Sequence, residues 1–157
     1  MGYAIIEKPA VKNGKIKAID FGCIETNPLW SPGDRLKRIN NELNKLIEKY
    51  QPEVMAVESL FFFKNLKTVM PVSQAKGVIL LTAAKKKIPV YEFTPLQVKM
   101  AITGYGRAEK KQVQKMTHIL LDLKEFDLKE KSRKKDDATD ALGIALCYIF
   151  KSQTMSI

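Results

Sequence analysis

The pattern of apolar positions predicts a β-hairpin near the start of the chain. Residues 3–8 and 16–26 favour extended structure, and Asn13-Gly14 between them is a dipeptide typical of tight hairpin turns. The returning strand should place alternate apolar side chains on one face, namely Ile19, Phe21 and Cys23. Asp20 alternates opposite to them and should therefore face solvent.

The rest of the chain alternates between helical and extended patterns. Apolar residues recur at helical spacing after Ser31-Pro32, which predicts an amphipathic helix from the proline to Tyr50. An apolar run over residues 54–57 that ends at Glu58 predicts a buried strand. The remaining predicted elements are a helix over 66–85 started or kinked by Pro71, a strand over 89–93, a helix over 95–102, a helix over 108–123, a basic loop over 131–135 and a helix over 136–150. This alternation, without linker or repeat, predicts one α/β domain over residues 1–157, in which helices flank a sheet.

The charge balance points to a polyanionic partner. The 157 residues include 27 Lys and Arg against 17 Asp and Glu, a net charge of +10, and such an excess attracts nucleic acid. No apolar run reaches the roughly 18 residues of a membrane span, and the start lacks a signal-peptide pattern, so no membrane partner is expected. Cys23 and Cys147 lie in apolar runs without metal-ligand spacing, so both should be buried thiols of a cytoplasmic protein.

Three acidic residues are the candidates for chemistry. Glu58 ends an apolar strand, where a charge needs compensation, and Asp137 and Asp140 lie three apart at the start of an apolar helix, so they share a face. Helix capping is the plainer explanation of the pair. A buried helix instead favours an acidic cleft, which would suit Mg²⁺ or Mn²⁺ and phosphate-ester hydrolysis. The single histidine, His118, lies off the apolar stripe of its helix and should be exposed.

Six blocks of sequence, in order along the chain, carry a family resemblance. They are Gly2-Tyr3-Ala4-Ile5-Ile6-Glu7, Gly22-Cys23-Ile24-Glu25-Thr26, Ala56-Val57-Glu58 through Phe61 and Lys64-Asn65, Ser73-Gln74-Ala75-Lys76-Gly77, Gln97-Val98-Lys99 with Gly104-Tyr105-Gly106, and Asp137-Ala138-Thr139-Asp140-Ala141-Leu142. Together they resemble the bacterial RuvC family of Holliday junction resolvases over about residues 2–150.

The resemblance implies a fold, an activity and partners. The fold is ribonuclease-H-like, a five-stranded mixed sheet flanked by helices. The activity is that of a homodimeric endodeoxyribonuclease that resolves four-way DNA junctions by paired symmetrical nicks in recombination and repair. The implied cofactor is Mg²⁺, replaceable by Mn²⁺, with two ions per site, and the family works with a branch-migration motor.

The resemblance also implies roles for particular residues. Glu58, Asp137 and Asp140 match three of the family's four metal-binding acids, which are its catalytic residues. Phe61 matches an aromatic residue that engages bases at the junction centre, and Lys99 and Lys110 match basic residues near the scissile phosphate. Apart from the resemblance, the basic run before the acidic pair is interpreted as a phosphate-contacting loop, with a plain solvated loop as the alternative; its residues are Lys131, Arg133, Lys134 and Lys135, of which the last three are the candidates for DNA contact.

The sequence departs from the family pattern at its beginning. The family opens with an apolar strand that ends in Ile-Asp-Pro-Gly, whereas here Met1 directly precedes Gly2-Tyr3. The central first strand and the first catalytic Asp are therefore expected to be missing, since Asp20-Phe21-Gly22 comes after the Gly-Tyr block. We expect this polypeptide to be poorly stable and catalytically impaired, and the native start to lie upstream.

Three other functions are compatible with the same residues. The chain could be a non-catalytic junction-binding protein on the same scaffold, a nuclease or transposase of the same fold that acts on other nucleic acids, or a basic α/β domain whose acids are only helix caps. Nicking of four-way junctions in Mg²⁺ distinguishes a junction resolvase from these three alternatives. Stabilisation of the fold by added metal distinguishes a metal site from helix capping.

Overall fold

The structure is a computed structural model that describes residues 1–9, 14–59, 66–123 and 133–154. Asn13 of the predicted turn and the predicted base-contacting residue Phe61 lie outside these ranges. The elements are β1 (Gly2–Glu7), β2 (Lys17–Cys23), α1 (Pro32–Tyr50), β3 (Met55–Glu58), α2 (Leu66–Lys85), β4 (Val90–Phe93), α3 (Pro95–Thr103), α4 (Lys110–Leu120) and α5 (Arg133–Thr154). This order agrees with the alternation predicted from the sequence.

The described strands form two sheets of two strands each. β1 pairs antiparallel with β2, so that Gly2 lies opposite Cys23. β3 pairs parallel with β4, so that Glu58 lies opposite Phe93. Within the described residues no ladder joins β1 to β3, whereas the resemblance implies one five-stranded sheet.

A β-bulge in the hairpin changes the predicted orientation of Ile19 in β2. Ile5 pairs with Asp20 and Ile6 with Ala18, so Ile19 is an extra residue and its side chain is 48% exposed. Ala18 and Phe21 pack against the core instead. The predictions that Ile19 shares the face of Phe21 and that Asp20 faces solvent are therefore wrong.

Asp20 is partly buried in a small polar network. Its carboxylate accepts a hydrogen bond from the Tyr50 hydroxyl at 2.6 Å and one from the Tyr3 hydroxyl at 3.5 Å. Burial, followed by the nearby Asp20 charge, raises the pKa of Tyr3. The network joins the hairpin to the end of α1, so Asp20 has a structural role in this fold.

Helix α1 forms as its sequence predicts. The Ser31 hydroxyl accepts a hydrogen bond from the Asp34 amide at 3.1 Å, which satisfies one of the amides left free in the first turn. The buried stripe of the helix consists of Ile39, Leu43 and Ile47. This stripe has the spacing of one helical face, and α1 packs against α2. Helix α2 has the predicted bounds and contains Pro71 within them.

Helix α5 is the centre of the fold and contacts both strand pairs, α3 and α4. Leu142, Leu146 and Cys147 on this helix are fully buried, as its apolar composition predicts. Leu121 joins Leu142 and Leu146 in the main core cluster. Cys147 is thus buried as predicted, whereas Cys23 is only half buried, contrary to the prediction.

The start of α5 differs from the prediction. The helix begins at Arg133, so Arg133, Lys134 and Lys135 belong to its first turn and not to a loop that ends at residue 135. Apolar periodicity begins only after the acidic pair, which is why the sequence pattern places the start too late. No helix among the described residues is long and apolar enough to cross a membrane.

Candidate active site

Two predicted acids line one cavity, one from the end of a strand and one from the N-terminal part of a helix. Glu58 is the last residue of β3, and Asp140 lies in the second full turn of α5. Both line a cavity of about 130 Å³, which we call the acidic cavity. Its other polar walls come from α4 and α5, namely Lys110, Gln114, Thr117 and Thr139. Its apolar walls include Val98 and Val113.

Lys110 is the cation of the acidic cavity. Its Nζ lies 3.0 Å from Oδ2 of Asp140 and 3.8 Å from Oδ2 of Asp136. Burial lowers the pKa of Lys110, but the hydrogen bond to Asp140 and the surrounding acids outweigh it, so the pKa is raised. The lysine therefore remains fully charged among these carboxylates.

The two acids of the cavity repel each other. Desolvation, followed by the Asp140 charge, raises the pKa of Glu58 against a smaller opposing effect of Lys110. Desolvation also raises the pKa of Asp140, although the hydrogen bond from Lys110 opposes it. Both side chains remain open to water on one side, with 49% of the Asp140 side chain exposed, so this desolvation is partial. Two carboxylates and one ammonium leave the acidic cavity with a net negative charge, which favours binding of a further cation.

Asp137 is not part of the wall of the acidic cavity. Its Oδ2 lies 3.9 Å from the amino group of Met1, although its charge still acts on Asp140. Gly2 presses so closely on this part of α5 that a Cβ atom there would overlap the Asp137 carbonyl. The structure therefore brings Glu58 and Asp140 together but not Asp137.

The donor set fits a divalent cation only in part. Carboxylate oxygens are the ligands that hard cations such as Mg²⁺ and Mn²⁺ prefer, and Glu58 and Asp140 supply them. Among the described residues, however, no three Asp, Glu, His or Cys side chains converge as a ready metal site. A cation held by Glu58 and Asp140 would need water or phosphate oxygens to complete its shell.

Asp136 is a site residue that the sequence analysis does not identify. Its Oδ1 accepts a hydrogen bond from Gln114 Nε2 at 3.1 Å, in addition to its ion pair with Lys110. Asp136 and Asp140 lie four residues apart, which places them on one face of α5 and is a signal that the sequence contains. Together they hold Lys110 at the mouth of the cavity.

His118 is buried, contrary to the prediction. It is only 7% exposed, and its Nε2 lies 3.5 Å from Oγ1 of Thr139, the residue before Asp140. Helix α4 turns Thr117 and His118 toward α5, whereas Ile119 is 60% exposed. The apolar stripe misidentifies the inner face because the α4–α5 contact includes polar side chains.

The other predicted DNA-contacting residues are only partly described. Lys99 lies on α3 next to Val98, which lines the acidic cavity, but Lys99 itself is not part of the cavity wall. Phe61 lies outside the described residues, and Arg133, Lys134 and Lys135 are placed only as the first turn of α5. Of the six predicted DNA-binding residues, Lys110 is the one whose contacts place it in the cavity.

The raised pKa values predict a pH-dependent stability for the metal-free protein. Glu58 and Asp140 hold protons more tightly in the folded chain, so their contribution is present below their unfolded pKa values of about 4 and is lost as pH rises through the folded values. Lys110, Asp136 and Asp137 are the other charges that act on them. Glu58→Gln cannot ionise and should reduce this loss, so its melting temperature in EDTA should exceed that of the wild type at neutral pH.

Thermal unfolding in EDTA across the acidic to neutral range tests this expectation. Glu48→Gln is the control, because Glu48 forms a surface pair with Lys86 at 3.2 Å outside the cavity wall. If the melting temperature of Glu58→Gln changed with pH in parallel with that of the wild type, ionisation of Glu58 would not destabilise the fold.

The acidic cavity combines a carboxylate from a strand end, a carboxylate from a helix and a lysine. In an α/β fold this combination is compatible with one class of protein, the hydrolases that cleave phosphate esters with divalent cations. A family model described as "Crossover junction endodeoxyribonuclease RuvC" matches residues 1–148. The chain belongs to this family of metal-dependent endodeoxyribonucleases, as its sequence blocks indicate.

Similar proteins match nearly the whole chain. The RuvC of Halothermothrix orenii is 48% identical over 148 residues, which cover 94% of this chain and 84% of the relative. The RuvC of Finegoldia magna is 45% identical over 153 residues, which cover 98% and 88%. Thermus thermophilus RuvC in complex with a Holliday junction substrate has a TM-score of 0.85 and 31% identity over 99% of this chain and 89% of that one. These likenesses confirm the predicted ribonuclease-H-like fold.

Proposed function

We propose that this chain resolves four-way DNA junctions by hydrolysing one phosphodiester in each of two strands at its acidic cavity. The observation that carries the proposal is the approach of Glu58 and Asp140 to one cavity beside Lys110. The similar T. thermophilus RuvC that binds a Holliday junction substrate supports the choice of DNA structure. The net charge of +10 supplies the attraction to four converging duplexes.

The side chains of the cavity would divide the work between them. Glu58 and Asp140 would hold Mg²⁺, or Mn²⁺ in its place, with two ions per site as the proposed number. When bound, the metal supplies a water nucleophile at neutral pH and stabilises charge on the phosphate oxygens. Lys110 extends beyond the carboxylates with 54% of its side chain exposed, so its ammonium can pair with a DNA phosphate.

Asp137 is proposed as the third acid of the site. It lies three residues before Asp140, so a change of side-chain rotamer would turn its carboxylate from Met1 toward the same face of α5. The partial exposure of the Asp137 side chain, 42%, leaves room for that rotation. Phe61, Lys99, Arg133, Lys134 and Lys135 remain proposed DNA contacts, which the family resemblance or their charge supports.

Paired nicks imply two copies of the site. Each chain contributes one acidic cavity, and symmetrical cleavage of two strands is the natural product of a homodimer with twofold symmetry. We propose this assembly, together with a branch-migration motor as the partner that moves the junction. Both partner proposals rest on family membership.

A synthetic immobile junction tests the function. The full chain in molar excess should nick two strands of like polarity in Mg²⁺ or Mn²⁺, and EDTA should stop the reaction. A linear duplex of the same sequence is the matched control and should remain intact. Tight, salt-sensitive junction binding without nicks in either metal would instead identify a binding protein. Faster cleavage of hybrids or linear ends than of junctions would identify a different nuclease.

A further inference from the structure

The position of Lys110 creates a conflict with metal binding. Its ammonium lies 3.0 Å from Oδ2 of Asp140 and also acts on Glu58, the two carboxylates proposed to hold the metal. It is held there from a second side as well, since Oδ2 of Asp136 lies 3.8 Å away. In the metal-free protein, the lysine thus partly neutralises the two acids that a cation would need.

An ammonium and a divalent cation compete for the same carboxylate. Lys110 already donates to one carboxylate oxygen of Asp140, and a metal held by the same carboxylate would add a second positive charge in a partly desolvated cavity, where like charges repel. The contact between Lys110 and Asp140 therefore opposes metal binding, and loss of that contact should favour it.

The Lys110 side chain is free to move toward solvent. The side chain is 54% exposed and begins at the first residue of α4, so its flexible stem can swing toward solvent without disturbing the helix. A DNA phosphate at the mouth of the cavity offers the ammonium an alternative anion. Binding of DNA would thus free the carboxylates at the moment when a metal is needed.

We propose that Lys110 is an exchangeable internal counter-cation that couples metal loading to DNA binding. In the free enzyme the Lys110 ammonium pairs with the carboxylates, and in the DNA complex it pairs with a phosphate instead. This inference rests on the function proposed above. Because coupling between two ligands is reciprocal, the metal should strengthen DNA binding by the same factor by which DNA strengthens metal binding.

The coupling has measurable consequences. The wild type should bind Mn²⁺ weakly when free and about tenfold more tightly with a junction bound, a factor within the usual range of coupling between sites. Lys110→Met should bind Mn²⁺ several-fold more tightly than the wild type when free, and its gain on adding DNA should be much smaller. Its junction affinity should also fall less steeply with salt, by a slope of about 1, because one phosphate contact is lost.

The experiment titrates Mn²⁺ and follows the free ion by electron paramagnetic resonance, with the full chain alone and with a junction. The samples are kept cold, and a gel verifies that the DNA is intact. Lys111→Met is the matched control, since Lys111 is an exposed neighbour on α4 outside the cavity wall and should behave as the wild type. Lys110→Arg retains the charge and should keep the weak binding to the free protein.

The outcomes separate this inference from the function on which it rests. Equal Mn²⁺ affinity of the free wild type and of Lys110→Met, or an equal gain on adding DNA, would overturn the exchange and leave the metal site intact. Weaker Mn²⁺ binding by the Lys110→Met variant would also overturn it, because that result indicates a merely structural lysine. Absence of Mn²⁺ binding in all variants, with and without DNA, would overturn the proposed metal site itself.

Discussion

Asp140→Asn should lower the single-turnover rate of junction nicking by on the order of 10³-fold, which corresponds to a loss of about 4 kcal/mol of transition-state stabilisation. The amide has the size of the carboxylate but lacks the charge that holds a divalent cation. Junction affinity should remain within about threefold of the wild type, because phosphate contacts and not this acid supply the binding energy. Denaturing gels measure the nicks, and a mobility-shift titration measures the binding.

The same experiment includes a second active-site variant and a control variant. Glu58→Gln should lose nicking activity to a similar extent, because Glu58 of β3 and Asp140 of α5 line the same cavity. Glu48→Gln removes an equal charge from the surface of α1 and should nick at the wild-type rate. If Asp140→Asn nicked within about tenfold of the wild type, the acidic cavity would not be the catalytic centre.

Leu146→Ala should lower the free energy of unfolding by about 2–5 kcal/mol. Leu146 is fully buried on α5 and belongs to the cluster with Leu121 and Leu142 that the hairpin strands cover. Truncation removes apolar contacts and leaves a cavity in the layer between α5 and β1. Leu146 is the better choice than Leu142, because it lies six residues from Asp140 and leaves the acidic cavity alone.

Urea unfolding monitored by circular dichroism measures this loss. Ile119→Ala is the control, since Ile119 is 60% exposed on α4 and its truncation should change the free energy of unfolding by less than about 0.5 kcal/mol. Equal effects of the two substitutions would mean that α5 is not the packed centre of the fold.

Local rules account well for the helices that carry their own signals. Helix α1 begins at Pro32 behind the Ser31 cap and buries Ile39 and Leu43, as its spacing predicts. Helix α3 begins behind Thr94, whose hydroxyl accepts a hydrogen bond from the Gln97 amide at 3.2 Å. Caps and periodicity are properties of neighbouring residues, so they are readable before the chain folds.

Features that depend on pairing or contact between elements were beyond those rules. The bulge at Ile19 follows from the register between β1 and β2, and it turns Ile19 away from the face that it was predicted to share with Phe21. His118 is buried because α4 packs its polar side against Thr139 of α5. Neither feature has a distinct local pattern.

In the candidate site, too, some features follow from the sequence and others only from the tertiary structure. Amino-acid types and spacing identified Glu58, Asp137 and Asp140 as acids for a metal, and family resemblance identified Lys110 as a phosphate contact. Tertiary structure alone brought Glu58 to Asp140, turned Asp137 toward Met1, and placed Lys110 on the acids.

The sequence by itself determined the class of fold, the family and the chemical types available for catalysis, because these follow from local periodicity and from residue identity. Only the tertiary structure decided which acids share a cavity and which cation neutralises them. Those relations join residues on β3, α4 and α5, and the two acids are about 80 positions apart. Distances between such residues are set by packing and not by spacing along the chain.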